Sequence, residues 1–344
     1  MSVDQILAKL REFDAYIDHQ GSGSARYMFI DGGRYKYLCN LDHPSFRPSY
    51  IADDGLETIA LHTTLWIARR SLNVAKMLPK IDAVYVRFEN IEPPDLVVQR
   101  HRTKMIDVDD GKVYTLGDDS IHREYQIQQK IPIEINKPSL LEYDPDYPYL
   151  IEEFIRGVHP TRSVDDWIWF DRALQELRPL HSSNGSNRLA TEKLLAEIPD
   201  KDPVISRALR MVDRYPVPTH LTKGKVHGDL AHKNILVSDG EPYILDWDST
   251  RDDLVCCDLF YPILDFCREK QSPKLFKQMI FKGGKGYGIL HQSSDFIQFA
   301  MDEYKPGLPL VYLLHRIHRE TPLDPTSDKA YPILEMLVNC LEKR

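Results

Sequence analysis

His227, Asp229 and Asn234 stand in the spacing H-x-D-x-x-x-x-N within KVHGDLAHKNILVSDGEPYILDWD, and Asp246 ends the short apolar run Tyr243–Leu245. Transfer of a phosphoryl group needs a carboxylate beside the attacking hydroxyl and oxygen ligands for the divalent cation that neutralises a triphosphate. Asp229 suits the first task, and Asn234 and Asp246 suit the second. Acidic residues grouped with Asn and Gly ordinarily form a solvated turn. Here Lys225-Val226, Ile235–Val237 and Tyr243–Leu245 predict strands or loop edges on each side, with a turn at Ser238–Gly240. A zinc site of His227, Asp229 and His232 is the competing reading, and it lacks the further paired His/Cys motif of such sites.

The elements that must hold these groups are legible in outline. The chain has 344 residues, long enough for a large core and two lobes, with 42% hydrophobic and 28% charged residues. A formal net charge of -8 argues against bulk affinity for nucleic acid or an anionic membrane surface. No apolar run is long enough to span a bilayer, and the acidic N-terminal stretch does not read as a signal peptide. Five cysteines without C-x-x-C spacing predict free buried thiols in a reducing cytoplasm.

Residues 3–18 carry apolar side chains at helical spacing. RYMFI and RYKYL flank Asp31-Gly32-Gly33 and predict a hairpin; a helix over about 56–77 and a strand at 83–88 follow. A second hairpin is expected from a strand at 96–108, a turn at Asp110-Gly111 and a strand at 112–116. Asp118, Asp119 and Ser120 can cap a helix over 121–130, and LLEY and YLIEEFI read as paired strands. Helices are then expected at 165–181, 190–197, 203–214, 254–269, 295–302, 308–319 and 330–343, so strands come first and helices later, an α+β order.

From about Leu96 to Leu264 the chain resembles the aminoglycoside phosphotransferase and choline kinase-like group, relatives of protein kinases. The resemblance rests on HGDLAHKNIL, ILDWD and CCDL, preceded by HREYQIQQ, YLIEEFIRG and LQELRPLHS. It implies a two-lobed protein kinase-like fold, with an N-terminal antiparallel sheet lobe and a mainly helical C-terminal lobe. Residues 1–90 would be an extension or an added part of the N-lobe, 91–156 the N-lobe, and 157–344 the helical lobe. The cofactors implied are ATP and Mg2+. Asp229 would be the catalytic carboxylate, Asn234 and Asp246 the metal ligands, and His227 and Asp258 supports of the loop. Glu124 would pair with a strand cation, and the backbone of Glu153, Phe154 and Ile155 would meet the adenine. Asp248 is left open between metal and substrate.

The segment departs from the family pattern in two places. VVQRHRTKM carries no glycine where a phosphate loop is usual, and Gly117 stands where the strand lysine should be. A two-residue turn at Asp110-Gly111 places Lys104 opposite Gly117; a four-residue turn places Arg102 there. Lys104 is therefore the first expectation for the missing cation, with Arg102 and Lys112 as alternatives. A second placement uses Gly21–Ser24 as phosphate loop, Lys36 as the cation and Glu57 as its partner. The expected activity is ATP-dependent phosphorylation of a hydroxyl on a small polar molecule, a carbohydrate or an amino alcohol, without nucleic acid. The competing readings are an antibiotic kinase, with Asp248, Asp252 and Asp253 as its acidic patch, and a catalytically weak nucleotide-binding module.

Overall fold

Short alternating runs fill the first part of the chain, and they form one nine-stranded antiparallel sheet in the order β1-β4-β2-β3-β5-β6-β7-β9-β8. The strands are β1 Ala15–Ile17, β2 Ala25–Asp31, β3 Lys36–Asn40, β4 Ile81–Phe88, β5 Leu96–Gln99, β6 Thr103–Asp107, β7 Lys112–Leu116, β8 Leu140–Asp144 and β9 Tyr149–Glu153. The computed structural model describes residues 15–17, 25–31, 36–40, 81–88, 94–99, 102–117, 120–145, 149–161, 166–183, 187–269, 274–280, 290, 293–301 and 304–343. The expected helix over 56–77, Gly21–Ser24 and Glu57 lie outside the described residues.

The chain divides into two compact units, residues 1–130 with 137–158, and residues 131–136 with 159–344. In the first unit the β2–β3 hairpin joins the rest of the sheet through β3 and β5, where Leu38 faces Val97. Tyr27, Leu38, Cys39, Leu96, Met105 and Leu150 are buried there, and the Tyr27 hydroxyl donates to the Pro94 carbonyl at 2.6 Å. Helix α1, Ser120–Gln128, buries Ile121, Glu124 and Gln128, a helical spacing that gives one inward face.

Two expectations about this sheet are corrected. Ala15–Ile17 is a strand paired with β4 rather than the end of a helix. The single strand expected over 96–108 is two strands: the polar triplet Arg100-His101-Arg102 breaks the apolar alternation, and β5 and β6 pair antiparallel with Gln99 facing Thr103.

The second unit is mainly helical. Its described helices are α2 Trp167–Glu176, α3 Arg178–Ser182, α4 Thr191–Ala196, α5 Pro203–Val212, α6 Cys256–Glu269, α7 Lys274–Ile280, α8 Ser294–Met301, α9 Leu308–Glu320 and α10 Tyr331–Glu342. Three strands, β10 Asn187–Ala190, β11 His220–Val226 and β14 Arg251–Leu254, pair in the order β10-β11-β14. The pair β12 Ile235–Ser238 and β13 Glu241–Ile244 forms a separate hairpin. Helix α6 starts at Cys256 because Arg251–Leu254 is drawn into a ladder with β11. Phe260, Phe276 and Tyr312 stack in the core, with Phe260 and Tyr312 centroids 5.1 Å apart. Cys39, Cys256, Cys257 and Cys267 are buried free thiols. Among the described residues no helix is long and apolar enough to cross a membrane. The sheet unit followed by the helical unit is the α+β order that the sequence resemblance implies.

Candidate active site

The loop from His227 to Asn234 leaves β11 and is held from beneath by Asp258 on the first turn of α6. Asp258 is fully buried, and its carboxylate accepts the backbone N–H of His227 at 2.8 Å and of Gly228 at 2.9 Å. His181 Nε2 lies 3.0 Å from the same carboxylate. Burial alone raises the Asp258 pKa; His181, His227 and the Gly228 N–H together overcome it and hold the carboxyl below the usual range. Gly228 has φ of +85°, and a Cβ there would lie 2.6 Å from the Ser249 carbonyl oxygen. Only glycine fits that combination of left-handed backbone and close approach.

His227 is consumed by the loop. Its Nδ1 accepts the Asp229 N–H at 3.3 Å, and its Nε2 therefore carries the proton that it donates to the Leu245 carbonyl at 2.9 Å. Both ring nitrogens are engaged, so the zinc reading fails at its first ligand. The three-ligand grouping found among the described residues lies elsewhere, at Asp253, Cys257 and His315. There Arg319, Arg251 and His315 all bond to Asp253, and Glu320 pairs with both arginines, which makes the group an ion network. Asp253 is thereby removed from the acidic patch expected of an antibiotic site, while Asp248 is exposed beside Ser249 and Asp252 is exposed on β14.

Asn234 closes a 3-10 turn, His232–Asn234, and its Nδ2 donates to the Asp229 carbonyl at 2.7 Å and to Asp229 Oδ2 at 3.1 Å. Its amide oxygen is the atom turned away from Asp229. The Leu245 N–H donates to the Asn234 carbonyl at 2.9 Å, which ties the residue before Asp246 to Asn234. Asp246 has a left-handed backbone, φ of 63°, held by the buried Trp247 that follows, whose Nε1 donates to the Ile244 carbonyl at 3.1 Å. The Asp246 side chain does not cap the turn it begins, so its carboxylate is not spent there. A non-glycine residue in this region costs roughly 1–3 kcal/mol and persists where its surroundings impose it. Lys233 Nζ is 3.4 Å from Asp229 Oδ2, and the charge of Asp229 adds to burial in raising the Tyr261 pKa.

In the sheet unit the hairpin register decides the missing cation. The turn between β6 and β7 has four residues, Val108–Gly111, with Asp107 facing Lys112. Two carboxylates impose it: Asp107 Oδ1 accepts the Asp110 N–H at 2.8 Å, and Asp95 Oδ2 accepts the Val108 N–H at 2.8 Å. The two-residue turn, and with it Lys104 opposite Gly117, is therefore corrected. Lys104 faces Thr115, and Arg102 takes the place beside Gly117, where an added Cβ would lie 3.8 Å from Arg102 Cγ. Arg102 Nη1 pairs with the Glu124 carboxylate, and Arg102 Nε donates to Ser120 Oγ at 3.2 Å. The Glu124 side chain is 1% exposed and that of Arg102 17%. Lys112 is instead at the turn, 3.2 Å from Asp110. Lys36 begins β3, opposite Gln99.

The expected adenine contacts are narrowed. The Glu153 N–H donates to the Ser139 carbonyl at 2.9 Å and the Phe154 N–H to the Gly111 carbonyl at 2.8 Å. The edge positions of β9 are used for pairing within the unit, which leaves the backbone of Ile155 as the part of the expected trio not committed in this way. Sequence reasoning missed Lys233, Tyr261 and His181. Lys233 lies inside the motif and His181 within LQELRPLHS, but nothing in the sequence points to Tyr261.

Asp258→Ala strands two buried N–H donors and should destabilise the protein by about 3–5 kcal/mol in urea unfolding. The depressed native pKa means the Asp258 contribution is complete above the unfolded value of about 3.9 and is lost as pH falls through the native value. The acid limb of stability below about pH 4 should accordingly be shallower in Asp258→Ala than in the wild type. An added Cβ at Gly117 would lie 2.7 Å from buried Ile121 Cγ1, so Gly117→Ala should lower stability by roughly 1–3 kcal/mol in the same assay.

Residues 149–288 match the model of the phosphotransferase enzyme family. No curated protein is significantly similar to the chain in sequence. Among solved structures, a choline kinase from Streptococcus pneumoniae is similar with a TM-score of 0.40 and 13% identity, over 72% of this chain and 91% of its own. A thermostable mutant of an aminoglycoside phosphotransferase has a TM-score of 0.39 and 12% identity, over 71% and 92%. A glucosamine kinase has a TM-score of 0.39 and 11% identity, over 70% and 79%. Similarities this loose do not transfer a substrate. The motifs HGDLAHKNIL, ILDWD and CCDL all fall inside residues 149–288, the segment that matches the phosphotransferase enzyme family.

Proposed function

We propose that this phosphotransferase moves the γ-phosphoryl group of ATP to a hydroxyl of a small polar molecule, a carbohydrate or an amino alcohol. The observation that carries the reading is the pair of hydrogen bonds that Asn234 Nδ2 donates to the Asp229 carbonyl and carboxylate, which hold the carboxylate and turn the amide oxygen outward. Asp229 accepts the proton of the acceptor hydroxyl as that oxygen attacks the γ-phosphorus and the bond to the leaving diphosphate breaks.

Asn234 and Asp246 offer hard oxygen donors of the kind Mg2+ takes, one amide oxygen and one carboxylate, with the remaining positions left to phosphate and water. The residues present fit that ion. When bound, it would neutralise charge on the phosphates.

Arg102 is the cation proposed for the phosphates, in place of Lys104 and of the usual strand lysine. Glu124 is buried and needs a positive partner, and the guanidinium that satisfies it is a group suited to phosphate oxygens. Ile155 is the proposed backbone contact for the adenine, with Glu153 and Phe154 shaping that edge. The reading as a catalytically weak module loses its main support, since a cation stands beside Gly117 after all. The antibiotic reading loses Asp253.

A panel of sugars and amino alcohols with ATP and Mg2+, read by the mass gain of one phosphoryl group, tests the function; no transfer to any hydroxyl would overturn it. Asp229→Asn should lower kcat by roughly 10²-fold or more while the unfolding transition is kept. Arg102→Ala combined with Glu124→Gln, which avoids a stranded buried charge, should raise the KM for ATP roughly tenfold or more, the scale of one charged contact. Lys104→Ala should leave that KM within about twofold, since a half-exposed lysine facing Thr115 contributes little.

A further inference from the structure

We infer that the acceptor of this phosphotransferase is an anionic alcohol, a hydroxy acid or a phosphorylated sugar, whose acidic group docks on Arg316 while its hydroxyl meets Asp229. The inference rests on the phosphotransferase reading above and narrows its acceptor. Arg316 is on α9, and its guanidinium lies 5.1 Å over the ring of Tyr261 on α6. Tyr261 is in turn close enough to Asp229 for the charge of that carboxylate to add to burial in raising the phenol pKa. One phenol therefore stands between the guanidinium and the carboxylate that receives the hydroxyl proton. A small acceptor spans that interval with its hydroxyl at one end and its acidic group at the other.

The protein itself leaves this guanidinium poorly matched. The Arg316 side chain is 12% exposed, and its Nε is buried with no hydrogen-bond partner. Its ion pair with Asp328 is 3.9 Å long, beyond the roughly 2.7–2.9 Å of a charge-assisted hydrogen bond. The Asp328 Oδ1 of that pair already accepts the Ala330 N–H at 2.5 Å, at the start of α10. Tyr312 lies one turn before Arg316 on α9, on the same face of the helix. Its ring stacks on Phe260, and its hydroxyl is buried and likewise without a partner. Buried polar groups ordinarily find a match, and here neighbouring N–H and O–H donors share the lack of one. A carboxylate or a phosphate brings several acceptor oxygens in a geometry that suits the planar guanidinium.

An amine in the same place would need a carboxylate, and the carboxylates around Arg316 and Tyr261 have other partners. Asp253 holds Arg251, Arg319 and His315, and Glu320 pairs with both of those arginines. Asp328 takes the Ala330 N–H, and Asp265, one turn after Tyr261 on α6, lies 3.5 Å from His232 Nδ1. Arg316 binds the acceptor and takes no proton. The acceptor oxygen bonds to the γ-phosphorus, the bridging P–O bond breaks, its electron pair leaves on ADP, and the hydroxyl proton ends on Asp229.

The test titrates the protein, saturated with Mg·AMP-PNP so that the nucleotide site is filled, with matched alcohols by calorimetry. One set is glycerol, glycerate, glycerol phosphate and serinol; the other is glucose, gluconate, glucose phosphate and glucosamine. In the wild type an acidic member should bind roughly tenfold or more tighter than its neutral and amino partners, and the sets separate carboxylate from phosphate. Arg316→Gln should abolish that preference, and Arg316→Lys, which keeps the charge without the planar fork, should retain part of it. Tyr312→Phe should weaken the acid roughly threefold and leave the neutral member within about twofold, a readout that stands if Arg316→Gln does not fold. With ATP in place of the analogue, the preferred acid should gain the mass of one phosphoryl group. Preference for a neutral or amino member, no preference, a preference that survives in Arg316→Gln, or an acid bound but never phosphorylated overturns the inference alone. A wild type that does not bind Mg·AMP-PNP overturns the phosphotransferase reading, and this inference with it.

Discussion

A carboxylate taken fully out of water must be matched by donors, and the helical unit is organised around one such group, Asp258. Its oxygens hold consecutive N–H groups at the entrance of the loop that carries Asp229, and His181 closes the set from α3. Because the donors are backbone groups, the constraint acts on the path of the chain rather than on one side chain. His227 extends it by bonding Asp229 on one side and Leu245 on the other, so that the loop and the segment bearing Asp246 move as one body. Rigidity of this kind lets the side chains carried by the loop keep a fixed relation to one another.

The sheet unit solves the same problem with a different partner. Glu124 points from α1 into a buried site and needs a cation, and the strand that would ordinarily supply one carries Gly117. Arg102, which immediately precedes β6, supplies that charge. What the buried carboxylate requires is a positive charge at a place, and the strand that delivers it can change if the side chain lost and the side chain gained share one face of the sheet. The glycine itself is required by the helix packed against it, since an added Cβ would lie 2.7 Å from Ile121 Cγ1.

These examples mark where sequence reading succeeds. The bonding of Asn234 to Asp229, and of Leu245 to Asn234, follows from spacing because the relation is local, set by one loop and one hairpin. Strands such as β2, β3, β8 and β9 announce themselves by alternation and by the turns between them. The register of β6 and β7 does not, since an Asp-Gly pair favours a short turn and the longer one is imposed by Asp95 and Asp107. Asp95 belongs to the preceding strand region, and its part in this turn exists only once the chain has folded back. The strand β14 is hidden for a similar reason: Arg251–Leu254 has no periodicity of its own and becomes a strand by pairing with β11.

What the sequence determined by itself is therefore the chemistry: a carboxylate, an amide and a second carboxylate at spacings suited to phosphoryl transfer, in an α+β chain. The tertiary structure decided which residues serve them. It placed Arg102 rather than Lys104 beside Gly117, spent Asp253 on an ion network, and committed the Glu153 and Phe154 N–H groups to the Ser139 and Gly111 carbonyls. The difference is one of range. Backbone spacing over a few residues is encoded locally, whereas hydrogen-bond and charge partners are settled by packing, where every buried polar group must find a match and distant residues supply it.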